Sequence, residues 1–174
     1  EILKHWFLQR AEICKSNTTF KNVYHNCLYD IKQLIFHLFM NNPADIPNLL
    51  YGIKIMTTNI DDTLLMTYLC TNNTQENTLG LKENALSFTG QYAVDVKDIS
   101  LLPISVLLEY NLKDVLATYW LYNKRKKELV TENQEEIYNQ VFLPSIPVLL
   151  EMMLVGLPLN KYKVLEAKDL LSSE

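Results

Sequence analysis

Ile31, Leu34, Ile35, Leu38 and Phe39 recur at i, i+3, i+4, i+7 and i+8, the stripe of a helix that lays one face on a core. Just ahead of them, residues 20–26 (FKNVYHN) are aromatic and β-branched and predict a strand. The helix is expected to stop at Asn41 and Asn42, before Pro43. Ile53, Ile55 and Thr57 alternate within residues 52–60 and predict a second strand. Asp61 or Asp62 then caps a helix carrying Leu64, Leu65, Tyr68 and Leu69. Residues 79–89 (LGLKENALSFT) predict a short helix closed by Gly90. From Pro103, where a first-turn proline is tolerated, a long helix is expected to run towards Lys127. Its predicted core stripe is Ile104, Leu108, Leu112, Val115 and Tyr119. Residues 1–15 place Ile2, Trp6, Leu8 and Ile13 loosely at helical spacing. Strands alternating with helices define an α/β layered class. The polar run TENQEE breaks the pattern, and Pro144, Pro147 and Pro158 punctuate an apolar tail. A domain boundary is therefore expected at about residues 130–136, dividing the chain into 1–133 and 134–174.

Composition narrows this picture. The 174 residues suit about one domain, with 48% apolar and 21% charged residues as in an ordinary globular chain. The longest apolar run, IPVLLEMMLVGLPL, contains Glu151 and falls short of the roughly 20 residues a membrane span needs, so no membrane partner is expected. The first ten residues, EILKHWFLQR, lack the apolar core of a signal peptide. Cys14, Cys27 and Cys70 form an odd set without a CxxC pair, which argues against a disulfide framework or a zinc site and predicts a reducing, intracellular compartment. A net charge of −4 gives no overall basic field and argues against attachment to duplex DNA by charge alone. It leaves open an enzyme that handles nucleic acid through carboxylate-bound metals, because such sites are themselves acidic.

Three acidic positions stand out by context. Asp30 follows the first predicted strand in HNCLYD, at the edge where α/β sheets present functional groups; equally, it suits a helix N-terminus through the helix dipole. Asp114 lies four residues after Tyr110, so the two side chains share one helix face; the pair is either a site, with a hydroxyl beside a metal-holding carboxylate, or a surface neighbour pair. Asp62 is read as a helix cap rather than a metal ligand. Lys124, Lys126 and Lys127, with Arg125, either meet phosphates or simply solvate a helix end.

Read in order, HNCLYD, DDTLLMTYL, LGLKENALSFTG and LLEYNLKDVLATYWLY resemble the 3′–5′ exonuclease domain of family A DNA polymerases. Asn26 and Asp30 match the family's Asn-x-x-x-Asp motif, and Tyr110 and Asp114 its Tyr-x-x-x-Asp motif. Asp62–Thr63 and the Leu-rich segment from Leu79 to Phe88 match the intervening helices. Residues 143–160 (LPSIPVLLEMMLVGLPLN) look like the segment that leads from the exonuclease domain into the polymerase thumb. The resemblance implies an RNase H-like α/β fold, a mixed sheet with flanking helices whose N-terminal strands are missing, followed by the helical start of a thumb. It implies proofreading: hydrolysis of the 3′-terminal phosphodiester of DNA with two Mg²⁺ or Mn²⁺ ions ~3.5–4 Å apart. Asp114 would serve the metal carrying the nucleophilic water, Tyr110 would orient that water, and Asp30 would serve the second metal. Asn26 and Tyr29 match positions that touch the single-stranded 3′ end.

The family's Asp-x-Glu, which should precede Asp30, does not occur in these residues, leaving two of the four carboxylates. The chain is thus expected to be a piece of a polymerase, partnered by DNA and by the rest of that chain, and to be inactive alone. Two other readings stay open: an exonuclease-like structural domain without catalysis, and a stand-alone exonuclease of the ribonuclease D type.

Overall fold

A computed structural model describes residues 1–71, 78–92 and 102–172. In chain order the elements are α1 (Ile2–Ser16), β1 (Asn22–Tyr24), α2 (Cys27–Leu38), α3 (Ile46–Met56), β2 (Ile60–Asp62), α4 (Thr63–Cys70), α5 (Leu81–Asn84), α6 (Leu86–Thr89), α7 (Ile104–Thr131), α8 (Glu135–Ile137), a single π-helical turn (Tyr138–Phe142), α9 (Leu143–Val155) and α10 (Lys161–Ser172). Among the described residues the only sheet is β1 paired parallel with β2, with Asn22 opposite Ile60, Val23 opposite Asp61 and Tyr24 opposite Asp62. The protein is therefore predominantly helical. The mixed, RNase H-like sheet with flanking helices that the resemblance implied is not its architecture: three residues per strand and one pairing are all the β-structure described.

The second predicted strand is where the α/β expectation fails most visibly. Residues 53–57 alternate apolar and polar positions, yet Ile53 and Ile55 lie in α3. The cause sits upstream. Asp45 caps the helix by accepting the Asn48 amide at 3.4 Å, and Pro47 falls in the first turn, where its missing N–H costs nothing. Hydrogen bonds from Asn48 and then Asn41 lower the Asp45 carboxyl from the usual carboxylate range to about 2. Leu49, Ile53 and Met56 then form an i, i+4, i+7 stripe that is buried on one side.

That stripe meets Ile31 and Ile35 of α2, Phe7 and Ala11 of α1, Ile60 of β2, and Ile146 and Leu150 of α9 in one apolar core. Residues on either side of the boundary expected near 130–136 thus share this core. Glu135–Val155 is a helical run long and apolar enough by length and composition to cross a membrane; most of it is exposed, while Ile146 and Leu150 within it are fully buried against the other core helices. A second cluster joins Met66 and Leu69 of α4 to Tyr122 and Leu129 of α7 and to Tyr138. Gly52 lets α2 and α3 approach closely: a Cβ there would lie 3.0 Å from Ile35 Cγ2 and 3.1 Å from Phe39 Cβ. Gly52→Ala is expected to lower stability by about 1–2 kcal/mol, the overpacking strain exceeding the gain in helix propensity. Urea unfolding measures this, and a stabilised variant would show that the two helices part freely.

The long helix α7 also departs from its predicted orientation. Ile104, Leu108, Leu112, Val115 and Tyr119 are exposed, Leu108 by 62%, while Ala117, Leu121, Tyr122, Arg125 and Leu129 are buried. The inward stripe runs Tyr110, Asp114, Ala117, Leu121, Arg125, at i, i+4, i+7, i+11 and i+15. Its first half is polar, so hydrophobic periodicity selects the wrong face.

Candidate active site

β1 ends at Tyr24, and His25 and Asn26 carry the chain into α2. Asn26 takes a left-handed conformation (φ 65°), which turns the chain sharply enough for Asp30 to fall in the first turn of the helix. Parallel pairing sets Tyr24 beside Asp62, so the carboxyl ends of both strands, each followed directly by a helix, lie together.

Asp61 and Asp62 are both buried there and both are committed to the fold. Asp62 accepts the backbone N–H groups of Leu64 (2.7 Å) and Leu65 (3.3 Å), capping α4, and those of Cys27 (2.6 Å) and Asn26 (3.3 Å) at the start of α2. One carboxylate thereby satisfies orphan donors of two helices. Asp61 accepts the hydroxyls of Tyr122 and Tyr138, each at 3.1 Å, and faces the Lys21 ammonium at 3.6 Å. The Tyr138 hydroxyl also accepts the Asp62 backbone N–H at 2.9 Å. Burial, and then the Asp61 charge, push both phenols upward, which keeps them protonated as donors.

Above this buried pair lies an open cleft of about 670 Å³. Asp30 and His25 form one wall, Lys82 and Glu83 of α5 another, and Tyr110 and Asp114 of α7 a third. The structure thus brings together Asp30, Tyr110 and Asp114, which the sequence separates by some eighty positions. Asn26 and Tyr29 are exposed and lie outside the cleft walls, Tyr29 with 62% of its surface open to solvent.

Each wall has its own electrostatic setting. Partial desolvation, and then the nearby Asp62 charge, raise the Asp30 carboxyl above the ordinary range. Burial lowers the His25 imidazole against the opposing pull of Asp62, Asp114 and Glu83. Its Nδ1 lies 2.9 Å from the Thr63 hydroxyl, which donates to the Tyr24 carbonyl at 3.1 Å. Tyr92 donates its hydroxyl to Asp114 at 2.5 Å, and burial, followed by that carboxylate, raises the phenol. The Lys82 ammonium bonds the Tyr110 hydroxyl and lies 4.5 Å from that ring's centroid. His25, Lys82 and Tyr92 escaped sequence reasoning. His25 adjoined a marked residue at a strand end and was within reach, whereas nothing in the sequence flags Lys82 or Tyr92.

Among the described residues no three His, Cys, Asp or Glu side chains converge as a metal-holding cluster. Three carboxylates line the cleft, Asp30, Glu83 and Asp114, and hard oxygen donors of this kind are what Mg²⁺ takes, with phosphate oxygens and water completing its shell. A cation would also relieve the cost of the partly desolvated Asp30 anion. Asp30 and Asp114 do not by themselves furnish two complete sites. Compared with protein-family models, curated proteins and solved structures, the chain matches none.

Proposed function

We propose that the chain belongs to a DNA polymerase and contributes part of its 3′–5′ proofreading exonuclease site, hydrolysing the 3′-terminal phosphodiester of a single strand. The observation that carries this is the shared cleft: Asp30, Tyr110 and Asp114 reach it from two different helices. On this reading Asp30 and Asp114 bind divalent cation, Mg²⁺ or Mn²⁺. The bound ions would supply a water nucleophile at neutral pH and stabilise charge on the leaving oxygen. Tyr110 orients the attacking water through its hydroxyl, whose position is fixed by the Lys82 ammonium.

The test incubates a 5′-labelled single-stranded oligonucleotide with the complete polymerase and Mg²⁺ and follows its stepwise shortening. Nucleoside monophosphates released stepwise from the 3′ end are the expected product. Tyr110→Phe should lower the rate about tenfold, because it misplaces a water without removing a metal ligand. Release from the 5′ end, or endonucleolytic cuts, would sink the assignment. A second reading, an exonuclease-like structural domain without catalysis, is favoured by one observation: Asp114 already receives the Tyr92 hydroxyl, and no third ligand joins it among the described residues. The same assay separates the two, since a structural domain releases nothing.

A further inference from the structure

A different face of α7 carries a second arrangement of side chains. Phe88 of α6 stacks on Trp120 of α7 with the rings 6° from parallel and centroids 5.4 Å apart. Phe88 is half exposed, so the pair presents an open aromatic face. One and two turns further along, Lys124 and Lys127 line, with Trp120, Asn123 and Glu128, a groove of about 390 Å³ beside the stacked pair. The Lys124 ammonium stands 5.4 Å from the Trp120 centroid. Among the described residues neither lysine enters an ion pair. Glu128 is paired with the Arg125 guanidinium, so among the described residues neither groove lysine is neutralised by a carboxylate, in a protein of net charge −4.

Arg125 also builds the platform. From its buried position it donates Nη2 to Asn84 at 2.7 Å and Nε to the Thr67 hydroxyl at 3.2 Å, tying α5 and α4 to α7. Ala85, fully buried, joins α5 to α6. The Phe88 ring is thereby held against Trp120 by a fixed frame.

We propose that Phe88, Trp120, Lys124 and Lys127 form a binding site for single-stranded nucleic acid, distinct from the cleft. A base stacks on the outer face of the Phe88 ring, continuing the stack that Phe88 makes on Trp120, and the two ammoniums receive phosphates of the same strand. Trp120, Lys124 and Lys127 climb the helix in steps of about 6 and 4.5 Å, matching a strand that runs along α7. A planar π-ligand with regularly spaced negative charge uses both the rings and the lysines, whereas an acidic peptide uses only the lysines. The same two segments build the cleft, with Lys82 and Glu83 preceding Phe88, and Asp114 about 9 Å of helix rise before Trp120. The proposal shares the ligand class of the exonuclease reading and requires none of its chemistry.

Trp6 and Trp120 are the only tryptophans, so Trp6→Phe makes Trp120 the sole reporter. Titration with a ten-residue oligothymidylate in chelator is expected to quench its emission saturably. Phe88→Ala should weaken binding about five- to fiftyfold. Lys124→Gln with Lys127→Gln should reduce the slope of log affinity against log salt by about 1.4, roughly 0.7 for each phosphate no longer neutralised. Both lysines are exposed, so that variant folds and keeps the test decisive. Absence of saturable quenching, an unchanged salt slope, or equal competition by polyglutamate would overturn the proposal. Asp114→Ala should leave the quenching intact. Retained quenching in this chain with no 3′–5′ degradation by the complete polymerase would refute the cleft reading alone, and degradation by the complete polymerase without quenching here would refute this site alone.

Discussion

Asp62→Ala is expected to cost the fold about 3–5 kcal/mol, a large part of the ~5–15 kcal/mol that holds an ordinary domain together. The side chain is 1% exposed and accepts four backbone N–H groups, two at the start of α2 and two at the start of α4. Loss of one helix cap costs ~0.5–2 kcal/mol, and a buried donor left unpaired adds ~1–3 kcal/mol. Water cannot easily replace the carboxylate, because Cys27, Thr63 and Thr67 around it are themselves buried. For a chain of this size the midpoint of thermal unfolding should fall by roughly 6–20 °C. Asp62→Asn, which keeps one acceptor oxygen, should recover about half of the loss. Circular dichroism melts measure both variants. An alanine variant within about 1 kcal/mol of the parent would mean that the two helix starts are not pinned by this residue.

Asp114→Ala in the proposed polymerase is expected to reduce 3′–5′ degradation of single-stranded DNA about a hundredfold or more while nucleotide incorporation stays nearly intact. Asp114 is one of only two cleft carboxylates assigned to the cation, and among the described residues no cluster of other ligands stands ready to replace it. Asp30→Ala should behave alike. The two activities are followed on the same labelled primer, with and without nucleotides. Because Asp114 is half-buried and bonded to Tyr92, a stability change has to be checked in parallel. Equal loss of both activities would assign Asp114 to folding.

Helix positions were legible where local chemistry and burial agree. Ile31 and Ile35 are buried as their spacing predicts, Asp62 caps α4, and Gly90 closes the segment that ends in α6. Legibility failed where a periodic signal was misleading. Ile53 and Ile55 alternate like a strand, but the Asp45 cap and Pro47 start a helix before them. In α7 the apolar stripe from Ile104 to Tyr119 is exposed, and the inward stripe contains Tyr110, Asp114 and Arg125, which no hydrophobicity pattern would select. The shared cleft of Asp30, Tyr110 and Asp114 is a tertiary fact. The motif spacing suggested that these residues act together, but Lys82 and Tyr92, which engage Tyr110 and Asp114, belong to no local pattern.

The three faces of α7 also constrain how this sequence can diverge. One face holds Tyr110, Asp114 and the buried residues, a second the exposed apolar stripe, and a third Trp120 with its lysines. Successive residues are set about 100° apart around a helix. Inserting or deleting a single residue between Asp114 and Ala117 would therefore rotate every later side chain by that angle. Leu121 and Arg125 would leave the interior, and Trp120 would leave Phe88. Point substitutions alter one face at a time, whereas a length change scrambles all three. Only insertions near 7 or 11 residues, close to whole numbers of turns, preserve the phase. Descendants of this helix are thus free to vary in residue type far more than in length.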